Sequence, residues 1–367
     1  MNSIVRNVGL RLLPRSVRDP ILRFRRCEPR YRLLLQRFHI EDESALFERQ
    51  VRPSPLPDDA GAYLRPDNPR LTELVHRYRA FDHPISAHSQ WTDDYLNRNL
   101  DLRAFRGDQP YVWQLRDLNT EINYYVTFHY LSQTAGDLLE RLREDGLFGS
   151  YTVSFDGRLV SRDLLDAANE IRFLEGALGL SARKGFNILD IGAGYGRLAH
   201  RLVEALPPFG KIFCVDAVPI STFLCEFYLR FRGVDDRASV VPLDELETVL
   251  STNHIDLATN IHSFSECSLR AITAWIDLLA EHQVRHLFIV PNPPWPPSGQ
   301  QEGNRDGLWS IERRDGAKGG PGSYDYLPHL EDRGYRLVHH GPKYDDEVVQ
   351  RYGVSPAEYY LFERQDG

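Results

Sequence analysis

The chain has 367 residues, 42% of them apolar and 26% charged, with a net charge of −8. That balance speaks against a disordered or fibrous protein and gives enough chain for one large core or two smaller ones. Cys27, Cys214, Cys225 and Cys267 stand far apart with no C-x-x-C pair, so reduced thiols in a cytoplasmic protein are expected over a disulfide framework or a zinc site, and no apolar run approaches the roughly 20 residues of a membrane span.

The charge is unevenly placed. Residues 1–40 carry ten Arg against Asp19 and Glu28, a balance of +8 that leaves −16 for the remainder. An acidic body gives no support for nucleic acid as a partner. The basic segment has Ile4, Val5, Val8 and Leu12 at helical spacing before Pro14 and Pro20. It is expected to be a solvated basic helix, with contact to anionic lipid at the inner membrane face, or to an acidic partner, as the competing reading. Residues 52–70 form a Pro-rich connector, so the first region runs from 1 to 70.

Residues 71–180 are predicted to be mainly helical and aromatic. Leu118, Ile122, Tyr125 and His129 share one helical face, and Gly146 has the place of a helix C′ residue after "DLLERLRED". Asp156-Gly157 between alternating runs predicts a hairpin. Ser161 then caps a helix whose buried face is Leu164, Leu165, Ala168, Ile171 and Leu174. Trp91, Trp113 and Tyr124 are core candidates that also have the shape to stack on a sugar.

From 181 to 367 strands alternate with helices: "FNILDI", "KIFCVDA", "ASVVPL", "IDLATNIH" and "HLFIVPN", then a helical piece near 325–333 and two closing strands, "YRLVHHG" and "EYYLFER". This pattern predicts an α/β domain with a parallel sheet covered on both faces. Pro219 is placed to open the helix after the second strand. The first strand runs into Gly192, Gly194 and Gly196, and a dinucleotide fingerprint would require glycine where Arg197 stands. Twenty residues beyond Gly196, Asp216 ends the second strand, where a carboxylate can accept two ribose hydroxyls.

"LDIGAGYGRLA" resembles motif I of S-adenosylmethionine-dependent methyltransferases. The resemblance implies the Rossmann-like class I fold, a seven-stranded and mostly parallel sheet whose last strand is antiparallel. It also implies a cofactor set of Asp190 at the methionine ammonium, Gly192, Gly194, Tyr195 and Gly196 along the ligand, Asp216 at the ribose, and Asn260 at the end of the fourth strand. Asp244, just after the third strand, is a candidate for the adenine amino group, with a surface turn carboxylate as the competing reading. After the fourth strand, His262 and Glu266 share one short turn, and either can act as the base that an alcohol acceptor needs; Asp306, His329, His339 and His340 are weaker candidates.

Asn292-Pro293-Pro294-Trp295 is similar to the Asn-Pro-Pro-aromatic tetrad of amine methyltransferases. It follows the fifth strand where those enzymes have it after the fourth, and two prolines also simply end a strand. Methylation of an amine on nucleic acid or protein therefore stands as the alternative, beside a cofactor-binding protein without chemistry. From about Gln90 onward the chain resembles the sugar O-methyltransferases of bacterial glycan and natural-product pathways, on "SRDLLDAANEI", "ILDIGAGYGRLA", "NIHSFSEC" and "LFIVPNPPW". That family implies a saccharide or glycosylated acceptor. The helical region over 71–180 is expected to cap the site, and the Gly- and Pro-rich stretch 293–322 is a candidate lid because loops of that length are commonly functional or disordered. Some sugar methyltransferases use magnesium, but no ligand set in this sequence supports one.

Overall fold

The computed structural model describes residues 56–57, 59–87, 91, 96, 100–107, 118–155, 157–292, 309–312 and 322–365. Outside the described residues lie the basic segment with Cys27, part of the connector, Trp113, Asp156, Pro293 to Trp295, Asp306 and most of the expected lid.

The first long helix, α1 (Pro69–Ala80), begins inside the segment expected to lack regular structure. Asn68 caps it by accepting from Arg70 N–H at 2.8 Å, and Pro69 supplies a pre-set φ at the first position. Helix α2 (Leu118–Thr134) turns a different face inward from the one expected: Tyr124, Thr127 and Leu131 are buried, while Ile122, Tyr125 and His129 are half-buried. Gly146 caps no helix. The preceding helix, α3, is Gly136–Arg141, and Gly146, at φ 71°, lies in a later turn where its N–H donates to Glu144.

The hairpin forms as β1 (Thr152–Phe155) and β2 (Arg158–Ser161), with Phe155 opposite Arg158. Ser161 Oγ accepts from Leu164 N–H and starts α4 (Arg162–Leu178), which Gly179 ends at φ 62°. The apolar positions expected on α4 are all buried.

The main sheet is built from β3 (Ile188–Ile191), β4 (Ile212–Val215), β5 (Ala238–Val240), β6 (Leu257–Ile261) and β7 (His286–Val290). A ribbon of β8 (Trp309–Glu312) and β9 (Gly322–Asp325) follows, so part of the expected lid is paired. The closing pair β10 (Tyr335–Pro342) and β11 (Glu358–Arg364) completes a seven-stranded sheet in the order β10-β11-β7-β6-β3-β4-β5. β11 runs antiparallel to both neighbours and the first five strands are parallel. Alternate strand residues enter opposite cores: Ile188, Ile212, Leu257 and Phe288 pack with α4 and with α5 (Arg197–Ala205). Leu189, Phe213, Ala258 and Leu287 pack with α1, α6 (Pro219–Phe231) and α7 (Leu269–Glu281). With both faces covered, near-continuous apolar runs are required of the strands. No helix among the described residues is long and apolar enough to cross a membrane.

Candidate active site

The chain leaves β3 outward through β4 and β5 and returns to β6 on the opposite flank, so β3, β4 and β6 end side by side where the order reverses. Open α/β sheets bind ligands above such a switch point. Here a cavity is lined from all three strand ends, by Asp190, Gly192, Gly194 and Tyr195, by Asp216, and by His262 and Glu266. Trp91 and, on the first turns of α4, Arg162, Asp163 and Asp166 close the other side.

The loop after β3 turns on Gly192, Gly194 and Gly196, at φ 72°, 58° and 84°, a region that L side chains rarely adopt. The three make room for different things. A Cβ on Gly192 would overlap the Ser263 side chain and one on Gly196 would lie 2.8 Å from Cys225 Sγ, whereas one on Gly194 would meet nothing within 4 Å. Gly194 thus borders the open cavity, and Gly196 supports it by letting α5 approach α6. Gly192→Ala is expected to cost about 2 kcal/mol from backbone strain and overpacking, read as a lower urea midpoint; an unchanged midpoint would mean that the turn after β6 can move aside.

Asp190 interrupts the apolar run of β3. It is 4% exposed and accepts from Thr259 Oγ1 on β6 at 2.7 Å. Withdrawal from solvent pushes its carboxyl up to about 6 against the opposing pull of Thr259. Asp216 is likewise pushed up to about 6 by desolvation, although it accepts from Val218 N–H at 2.8 Å and Gly194 N–H at 2.9 Å. Among the described residues neither carboxylate forms an ion pair. Two carboxylates near 6 without an ion-pair partner, Asp190 feeling the Arg197 guanidinium without pairing with it, suit a ligand carrying positive charge, and the open side of Gly194 gives its backbone room to approach.

His262 stands at φ 70° at the end of β6, its N–H donating to the Val290 carbonyl at 2.7 Å. Its Nδ1 is buried with no hydrogen-bond partner among the described residues, and desolvation brings the imidazole down to about 3. Glu266, four residues on, accepts from Trp91 Nε1 at 2.7 Å and from Asn292 Nδ2 at 3.3 Å, while desolvation raises it to about 7. Asn292, the one described residue of the Asn-Pro-Pro-Trp tetrad, follows β7, the fifth parallel strand, as expected from the sequence.

Three predicted site residues lie away from the cavity lining. Asp244 is held by the Arg77 guanidinium of α1 at 2.9 and 2.7 Å, as an outward carboxylate. Asn260 braces the turn from within: Nδ2 donates to Ser263 Oγ at 2.6 Å and Oδ1 accepts from Phe264 N–H at 2.9 Å. Gly196 acts through helix packing. Among the weaker candidates, His329 pairs with Asp277 and the His339 ring packs at a tilt against Phe173. Among the described residues no group of three or more His, Cys, Asp or Glu could hold a metal ion.

Sequence reasoning missed Arg162, Asp163 and Asp166 as site residues. Asp163 takes the Tyr195 hydroxyl and Arg106 Nε, the latter at 3.1 Å, which ties the glycine loop to a fully buried arginine. The available signal was a run of acids at 163, 166 and 170 along one side of the helix, among its apolar positions 164, 165, 167, 168 and 171.

The strand order with its one antiparallel member, the glycine turn after β3 and the carboxylate ending β4 define a Rossmann-like fold of the class I methyltransferase type. No family model matches the chain, and no curated protein matches it. Among solved structures it is similar to a SAM-dependent methyltransferase from Aquifex aeolicus, at 18% identity and TM-score 0.35, covering 52% of this chain and 88% of that one. It is also similar to magnesium protoporphyrin IX methyltransferase from Synechocystis PCC 6803 with bound SAH, at 14% identity and TM-score 0.37, covering 64% and 96%. A third similar structure is the [4+2]-cyclase SpnF, at 16% identity and TM-score 0.37, covering 59% and 87%.

Proposed function

We propose that this protein is an S-adenosylmethionine-dependent O-methyltransferase that acts on a saccharide hydroxyl. The observation that carries the reading is Glu266: a cavity carboxylate raised to about 7, within reach of the same void as the glycine loop, and oriented by two donors. A general base works best when its pKa lies near the operating pH. When bound, S-adenosylmethionine supplies a methyl carbon already activated by its sulfonium. Asp190 would accept from the ammonium of such a ligand, and Asp216 from its ribose hydroxyls. Glu266 would accept the hydroxyl proton that the acceptor must lose. His262, neutral at physiological pH, shapes the wall without competing for that proton.

The saccharide is supported by the indole of Trp91 beside a polar wall, and by where the family-like motifs fall. Arg162, Asp163 and Asp166 of "SRDLLD" and Ser263, Phe264 and Glu266 of "SFSE" meet in one cavity. Residues from 71–180 thereby cap the site through Trp91 and α4. The test is transfer of methyl label from S-adenosylmethionine into an extract of the source organism, separated into saccharide, protein and nucleic acid. Alkali-stable label in saccharide is expected; label confined to protein or nucleic acid would favour amine methylation, and no label anywhere would favour a protein that binds without transferring.

A further inference from the structure

Arg162 and Asp166, one helical turn apart on α4, both line the cavity, and Arg162 Nε donates to Asp166 Oδ2 at 3.3 Å. Asp166 Oδ1 is held from behind by the ammonium of Lys343, which is 3% exposed and comes from the segment after β10. The same ammonium reaches the Ser355 and Val354 carbonyls at 3.3 and 3.4 Å, and the Lys343 carbonyl accepts from Asn169 Nδ2 at 2.7 Å. A well-packed apolar pair would join α4 to this segment at least as well as a buried ion pair does, so burial of these charges is weak evidence for a role in stability. What distinguishes this pair is that its carboxylate opens on the cavity.

The charge of the cavity limits the ligand class. Its walls carry the carboxylates of Asp163, Asp166, Asp190, Asp216 and Glu266 against the guanidiniums of Arg162 and Arg197, and Arg197 is engaged by Glu170 at 2.7 and 3.1 Å. Even with Asp163 and Asp166 paired to Arg106 and Lys343, the walls carry more carboxylates than cations, which disfavours an anionic acceptor. A neutral molecule with adjacent hydroxyls can give one hydrogen bond to Asp166 and take one from Arg162.

We propose that Arg162 and Asp166 form the acceptor subsite and recognise a vicinal diol on a neutral polyhydroxylated ligand, with Lys343 as the positioning residue that fixes the Asp166 carboxylate. The proposal rests on the saccharide reading for what binds, and stands apart from it on whether a methyl group is transferred.

The test measures binding of methyl hexopyranosides and their monodeoxy analogues by saturation-transfer NMR, to full-length protein carrying S-adenosylhomocysteine. Asp166→Asn is expected to weaken the parent glycoside at least tenfold and to change cofactor affinity less than twofold. Analogues lacking one of the two adjacent hydroxyls should bind the parent protein about as weakly as the variant does. Lys343→Met should weaken binding only while Asp166 is present and add nothing in the Asp166→Asn background, a dependence that a purely structural lysine would not show. Because Asp166→Asn alone leaves a buried ammonium, the double variant, checked by circular dichroism, decides the case if the single one misfolds. Equal binding by parent and folded variants, or no glycoside binding by the parent, would overturn the subsite. Asp166-dependent binding without label transfer would sink methyl transfer and keep the subsite, while transfer indifferent to Asp166 would do the reverse.

Discussion

Replacing Asp216 with alanine is expected to lower the affinity for S-adenosylmethionine by about a thousandfold, measured by calorimetry, while the protein stays folded. Hydrogen bonds to a charged group contribute roughly 1.5–3 kcal/mol each, and two ribose hydroxyls would lose theirs. The loss is compounded because Asp216 also accepts from Gly194 N–H and Val218 N–H, so alanine frees the glycine turn as well as the ribose. Asp216→Asn, which keeps one acceptor oxygen, should fall between the two. The pH dependence follows from the carboxylates at about 6. Their raised values stabilise the unliganded fold below the ordinary carboxylate range, and that contribution is lost as pH rises through about 6. A cationic ligand favours the ionised forms, so parent affinity should climb between pH 5 and 7, with a shallower climb in Asp216→Ala. An affinity that ignores the substitution would remove Asp216 from the cofactor site.

The sheet was legible because its rules are local. Apolar runs of four or five residues, glycines after the first strand and an acid twenty residues later fix the switch point and both carboxylates above it. The start of α1 was missed although Asn68-Pro69 is a cap followed by a helix-starting proline, because the surrounding prolines made the segment read as a connector. Other parts required information that no spacing carries. From its place after the third strand Asp244 was either a candidate for adenine or a surface turn carboxylate, and spacing could not show that Arg77, 167 residues earlier, takes its carboxylate. Lys343 meets Asp166 across 177 residues. Asn260 was placed correctly along the strand, but whether its amide faces a ligand or its own turn depends on where Ser263 and Phe264 fold back. The choice between His262 and Glu266 was equally closed to sequence, because it depends on desolvation and on donors from Trp91 and Asn292.

That choice sets the second large effect. Glu266→Gln is expected to lower kcat by roughly 10²–10⁴, the usual contribution of a positioned general base, with cofactor affinity unchanged. A base must be ionised to act, so parent activity should rise with pH through about 7 and level off, while the glutamine variant stays low and flat. His262 is the weaker base on physical grounds: at about 3 it is neutral across this range but has little affinity for a proton. If His262→Gln abolished turnover and Glu266→Gln spared it, the two roles would be exchanged. Trp91→Phe separates orientation from chemistry. Its indole N–H donates to the Glu266 carboxylate at 2.7 Å and so favours the ionised form. Removing that donor should move the rise in activity to higher pH while leaving a base in place, and a profile that does not move would mean that Trp91 does not hold Glu266 in the turnover complex.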